Sequence, residues 1–141
     1  MRRVVFAAMM AVVFAVLPAV AASAAVRIEI ARSTQTMDVS VDGEHLYTWP
    51  VSTGRAGWVT PPGVFHPQFM AVRWFSRIFN NAPMPHSIFY SGPFAIHGTT
   101  DIARLGRPAS HGCIRLHPND AAVLFDLVQR QGMRNTTIVV Q

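Results

Sequence analysis

Thr36-Met37-Asp38-Val39-Ser40-Val41-Asp42-Gly43, followed by His45 to Val51, is the stretch that sets the architecture. Residues 36–41 alternate apolar and polar with period two, which places one set of side chains on a buried sheet face. Asp42-Gly43 then stands between two extended runs. A two-residue type I′ turn needs positive φ at both positions, and Asp-Gly tolerates it, so a β-hairpin is predicted. Val26 to Ile30 alternates in the same way and is read as the preceding strand.

Working outward, Thr53-Gly54 and Pro61-Pro62-Gly63 mark breaks, and residues 64–72 are read as one further strand. Residues 73–87 carry Asn80, Asn81, Pro83 and Pro85 and are read as a loop lying over other structure. Ser87 to Tyr90 and Phe94 to His97 read as short strands, separated by Ser91-Gly92-Pro93. Near the C-terminus the period changes: Ala121, Leu124, Phe125 and Val128 share one helical face. Pro118 suits the first turn of that helix, Asp120 complements its dipole, and Gly132 is a stop. Thr136 to Val140 is a final β-branched strand. Many short strands with turn signals and one principal C-terminal helix predict a mainly β, sandwich-like or barrel fold.

The first 24 residues are set apart. Arg2 and Arg3 precede an apolar run from Val4 to Val20, and Ala22-Ser23-Ala24 is a small-residue cleavage pattern. Residues 1–24 are read as a cleaved secretory signal peptide, which places the protein in the periplasm or cell wall with no stable membrane insertion. An uncleaved anchor is the alternative, although 17 apolar residues are short for a span. Residues 25–141 are then one domain, expected to be monomeric. Removing Arg2 and Arg3 leaves ten basic against seven acidic residues, a charge of +3. This modest bias has no basic-aromatic stripe for nucleic acid but is compatible with an anionic wall polymer. The sequence has no lysine, which excludes Schiff-base and lysine-base chemistry, and one cysteine, which excludes an internal disulfide.

That cysteine, Cys113, lies in Ser110-His111-Gly112-Cys113-Ile114-Arg115-Leu116, sixteen residues after His97. A solitary thiol in an exported chain calls for an explanation. Acyl transfer needs a thiolate, a group to take its proton, and donors for the tetrahedral oxyanion. Cys113, His97 and the amides of Gly112 and Cys113 could supply these, with Gly112 leaving room for a substrate carbonyl. Alternation through Ile114-Arg115-Leu116 puts Arg115 on the face of Cys113, where its guanidinium could hold a substrate carboxylate. Arg104 and Arg107 are read as solvated surface. His97, His111, His117 and Cys113 do not have the spacing of a standard zinc site, so no metal is expected. His117 is read as a loop or helix-start residue. Pro108 replaces the first glycine of a G-x-S-x-G elbow, which argues against a serine nucleophile at Ser110. Trp49, Trp58 and Trp74 are read as core or sugar-stacking residues, with both readings open.

Phe94 to Thr99 together with Gly106 to Leu116 resembles the L,D-transpeptidase catalytic domain, also known as the YkuD domain. Thr53-Gly54, Thr60 to Phe65, Met84-Pro85 and the helix over 120–128 fit the same family, so the likeness covers residues 25–141. The resemblance implies a β-sandwich-like fold, Cys113 as nucleophile and His97 as base. It implies that the Gly98 carbonyl orients the base, that Ser110 supports the loop, and that His111 joins the Gly112 and Cys113 amides on the oxyanion side. Many members carry Asn two residues after the cysteine, and Arg115 stands there in this chain. The implied reaction takes peptidoglycan tetrapeptide stems, forms a thioester, releases terminal D-Ala and passes the acyl group to an amine of another stem or of an attached wall protein. No cofactor is implied. A hydrolase of the same fold is the alternative, and an inactive wall-binding module is a third reading, against which the intact His97 and Cys113 speak.

Overall fold

A computed structural model describes residues 24–141. The segment read as a signal peptide lies outside the described residues except for Ala24, and among the described residues no helix is long and apolar enough to cross a membrane.

Strands β1 (Val26–Ala31), β2 (Thr36–Val41) and β3 (Glu44–Pro50) form an antiparallel meander. Asp42 and Gly43 sit at φ +51° and +81°, and Val41 pairs with Glu44, so the hairpin closes through the two-residue turn expected of Asp-Gly. Strand β4 (Gly63–Phe65) follows. The last strand of the chain, Thr136–Val140, inserts between β1, to which it is parallel, and β4, to which it is antiparallel. The second sheet is formed in order by β5 (Phe69–Ala71), β6 (Ser87–Ser91), β7 (Phe94–Gly98) and β8 (Ile114–Leu116), with the last two parallel.

Helix α1 (Pro118–Gln131) packs on β6 and β7. His117 is its N-cap, and the ring Nδ1 accepts from the Asn119 N–H at 3.1 Å. Leu124 and Val128 from α1 join Ile28, Ile30 and Ile138 from one sheet and Ile96 and Ile114 from the other in a single fully buried cluster. The mainly β, two-sheet expectation with one helix is met.

One local expectation is corrected and one is met. Residues 64–72 are not one strand. Pro67 has no N–H for a ladder, and the chain breaks over His66-Pro67-Gln68 so that β4 joins the first sheet and β5 the second. Residues 73–86 form the loop expected, with no strand or helix of their own, and Ser87 opens β6. Val72 to His86 form a narrow arm in which His86, Met84 and Ser76 donate to the carbonyls of Val72, Trp74 and Ala82 at 2.8–2.9 Å. Asn80 and Asn81, at φ +47° and +52°, turn its tip. The returning side donates from residues 82, 84 and 86, and Pro83 and Pro85 fall at the alternate positions, where no N–H is required. The arm brings Phe79 across the molecule toward His111.

Candidate active site

His97 and Arg115 are register partners on the parallel strands β7 and β8, and Cys113 immediately precedes β8. All three side chains line one open cavity of about 520 Å³. Trp58, Phe79 and His111 form its aromatic side, while Asp101 and Arg104 lie with Arg115 on its charged side.

The His97 ring is buried, and its Nδ1 lies 2.7 Å from the Gly98 carbonyl. A carbonyl can only accept, so Nδ1 carries the proton and Nε2 keeps its lone pair. Burial pushes the His97 pKa down to about 4, against the pull of the Gly98 carbonyl, and the Arg115 charge lowers it further. The imidazole is therefore neutral across the neutral range. The Cys113 thiol is directed at the Pro93 carbonyl, 3.7 Å away, and its sulfur receives the Ala95 N–H at 3.4 Å. Burial raises the thiol pKa, and the Ala95 N–H and the Arg115 charge oppose that rise. A neutral thiol and a neutral imidazole lining the same cavity are the resting state that these surroundings favour.

Hydrogen bonds hold the loop before β8 on both sides. Ser110 Oγ donates to the Cys113 carbonyl at 2.6 Å and accepts the Gly112 N–H at 3.0 Å. Thr60 donates its hydroxyl to the Gly112 carbonyl at 2.8 Å, and the Ala109 and Ser110 N–H groups reach the Thr53 carbonyl at 3.0 Å. Gln35 secures Thr53 in turn through its side-chain amide.

This wiring changes the expected division of labour. The Gly112 N–H is already given to Ser110, while the Cys113 N–H has no acceptor among the described residues and is the amide left open. Gly112 is required by its own backbone, at φ +118°, and by Phe94, whose ring edge would lie 2.6 Å from an added Cβ. Gly112→Ala is thus expected to lower stability by roughly 2 kcal/mol or more, read as a shift of the urea midpoint.

His111 does not hydrogen-bond within the loop. Its ring stacks on Phe79 at 4.1 Å between centroids and meets Trp58 edge-on at 4.9 Å. Burial, then the charges of Arg55 and Arg115, lower its pKa, so neutral His111 is favoured in the stack. Arg115 exchanges both backbone hydrogen bonds with Ser52, and its side chain is only 19% exposed. Burial lowers its pKa, and the neighbouring Asp101 carboxylate opposes the change. Arg104, read with Arg107 as surface, is half-exposed but pairs with Asp101 at 2.6 Å on the cavity wall. Trp58 is the tryptophan that shares the cavity with Cys113. Trp49 stacks on Tyr47 against the core, and Trp74 packs with Phe69 and Phe89. Among the described residues no group of side chains is disposed to hold a metal ion.

The family model of the L,D-transpeptidase catalytic domain matches residues 25–140. The chain belongs to this family. YkuD of Bacillus subtilis is 27% identical, with 72% of this chain and 59% of that protein aligned. A solved L,D-transpeptidase from Mycobacterium smegmatis superposes with a TM-score of 0.74 at 27% identity, over 84% of this chain and 59% of its own. An L,D-transpeptidase solved in complex with imipenem gives 0.74 at 25% identity, with the same coverage of both chains. The chain thus spans about three fifths of the length of these L,D-transpeptidases. Asp101 and Phe79 are cavity residues that sequence reasoning missed, and Trp58, left open between core and sugar-stacking, lies on the cavity wall. The nearest signal was the Thr99-Thr100-Asp101 turn that follows the His97-Gly98 pair, in which Asp101 donates its N–H to the Thr99 hydroxyl.

Proposed function

We propose that this chain is a cysteine-dependent L,D-transpeptidase that acts outside the cytoplasm on peptidoglycan tetrapeptide stems, its first 24 residues being a cleaved export signal. The observation that carries the reading is the meeting, in one cavity of a family-typical fold, of the chain's single thiol with a buried imidazole whose Nε2 lone pair is free.

In this mechanism Cys113 Sγ attacks the carbonyl carbon of the third stem residue while His97 Nε2 takes the thiol proton. The Cys113 N–H donates to the oxyanion that forms. Collapse breaks the C–N bond to terminal D-Ala, whose leaving amine takes the proton from His97. The thioester then accepts an amine, His97 removes the amine proton, and the thiolate regains it as the new amide forms. A neutral imidazole suits this cycle, because it need only hold the proton between bond-making and bond-breaking. The acceptor is a second stem or a wall protein. Mass spectrometry of defined stem peptides incubated with the purified protein tests the assignment. Cross-linked or exchanged products support transfer, whereas tripeptide alone would make the protein a hydrolase.

Arg115 binds a carboxylate of the donor stem in this reading. Arg115→Lys is expected to lower kcat/KM roughly 10- to 150-fold, because a point charge cannot replace the guanidinium fork. Unchanged stem kinetics in Arg115→Ala would remove Arg115 from substrate binding.

A further inference from the structure

A second cavity, of about 350 Å³, borders the catalytic one. The two share Ser76, Ile78, Met84 and Pro93, and the Pro93 carbonyl is the group at which the Cys113 thiol is directed. Trp74, Phe69 and Phe89 give the second cavity an aromatic floor. Trp74 stands outside the buried core cluster and meets the two phenyl rings at 71° and 70°, so neither stacks on it. Phe69 remains 48% exposed, and the exposed Arg77 lies with its guanidinium over the indole at 5.4 Å. Among the described residues Arg77 makes no ion pair. No acidic residue lines this cavity, and Gln68 adds an exposed amide at its edge.

We infer that this second cavity is a glycan subsite that takes the N-acetylated amino sugar to which the stem is attached. This rests on the thioester reading above, but not on how the stem itself is held. With the carbonyl of the third stem residue at Cys113 Sγ, two residues and a linking acyl group separate it from the sugar. At about 3.5 Å for each unit, the tether spans roughly 10 Å. The sugar is therefore kept close to the thiol, and the second cavity opens at Pro93, which touches that thiol. A pyranose has an apolar C–H face and a polar rim, which match an aromatic floor with polar groups at its edge. Arg77 is held by the indole face alone, so it is free to turn and donate to the acetamido carbonyl. The Gln68 amide both donates and accepts, which suits sugar hydroxyls. A sugar with a free ammonium would meet Arg77 with no carboxylate on the wall to offset the repulsion. Trp74 is the sugar-stacking residue in this scheme and takes no part in the proton transfers.

The test presents one tetrapeptide stem in three forms: free, attached to its N-acetylated disaccharide, and attached to the same disaccharide after de-N-acetylation. Thioester formation on Cys113 is followed by mass spectrometry with no acceptor present. The N-acetylated form is expected to exceed the free stem by roughly tenfold or more in second-order acylation rate, and to exceed the de-N-acetylated form as well. In Trp74→Ala the first ratio should fall close to one, and in Arg77→Ala the second should do so. Arg77 is exposed, so its variant keeps the fold even if Trp74→Ala disturbs the arm. Ratios within one variant cancel any change in thiol reactivity, and a purely structural role for Trp74 would slow both substrates alike. Equal acylation of free and glycan-bearing stems by the unsubstituted protein would overturn the inference, as would a first ratio that Trp74→Ala leaves unaltered. If Arg77→Ala still disfavours the de-N-acetylated form, the assignment of the sugar fails. If Trp74→Ala slows only transfer to an added amine, the cavity holds the acceptor and not the glycan. Calorimetric binding to Cys113→Ala separates this claim from the one beneath it. Tighter binding of the glycan-bearing stem without any thioester in the native sequence would keep the subsite and sink the mechanism. Thioester formed at equal rates from both stems would sink the subsite alone.

Discussion

Cys113→Ala is expected to abolish turnover completely, since the chain holds no second thiol and no lysine to take over acyl transfer. A carbapenem such as imipenem should add once to the protein and not at all to the variant, read by intact mass. Cys113→Ser should be almost as inert. His97, with its pKa held near 4, is too weak a base to draw a proton from an alcohol, which is far less acidic than a thiol. An adduct on Cys113→Ala would show that another group is acylated. Because burial raises the thiol pKa, no thiolate absorbance is expected at pH 7, and it should emerge only as the pH is raised into the alkaline range.

His97→Gln should retain the fold and lose about 10²- to 10⁴-fold in acylation rate. The same residue governs acid stability. In the unfolded chain His97 titrates near 6.5, and in the folded protein near 4, so its contribution is fully present above the unfolded value. It is lost as pH falls from about 6.5 toward 4, amounting to about 3 kcal/mol at pH 4. Urea titrations at pH 7 and pH 4 should show this slope in the native sequence and its absence in His97→Gln. Near-normal acylation by the variant would move the base role to His111, and an unchanged slope would show that His97 is not the buried neutral group.

The sheets were legible wherever one strand face is buried. Alternation exposed β1, β2 and the final strand, and Asp42-Gly43 marked the β2–β3 hairpin because the backbone there needs positive φ at both positions. Helix α1 was legible from its apolar face and from Pro118. The loop over residues 73–86 was legible from its prolines and asparagines, but its internal hydrogen bonding, in which Pro83 and Pro85 fall at positions that donate nothing, was not. The switch of sheets at Pro67 was passed over by reading 64–72 as one strand, although His66-Pro67-Gln68 interrupts the apolar residues there.

At the site, the motif and its family likeness singled out Cys113, His97 and Arg115, which the fold brings into one cavity. Asp101, Phe79 and Trp58 reach that cavity from three separate segments. The places of Asp101 and Phe79 depend on contacts far apart in sequence that no local spacing announces, and for Trp58 the sequence left core and stacking readings open. The identity of the open oxyanion amide was also illegible, since it turns on which N–H the Ser110 hydroxyl has already taken.

The central claim is that the acyl group passes through sulfur. Acid-quenching the protein during turnover of a tetrapeptide stem, followed by proteolysis and mass spectrometry, tests it most directly. The expected result is a Cys113 peptide heavier by the stem without its terminal D-Ala, appearing no more slowly than D-Ala is released and sensitive to hydroxylamine. Release of D-Ala at full rate with Cys113 unmodified, or with the stem attached to another residue, would contradict the account.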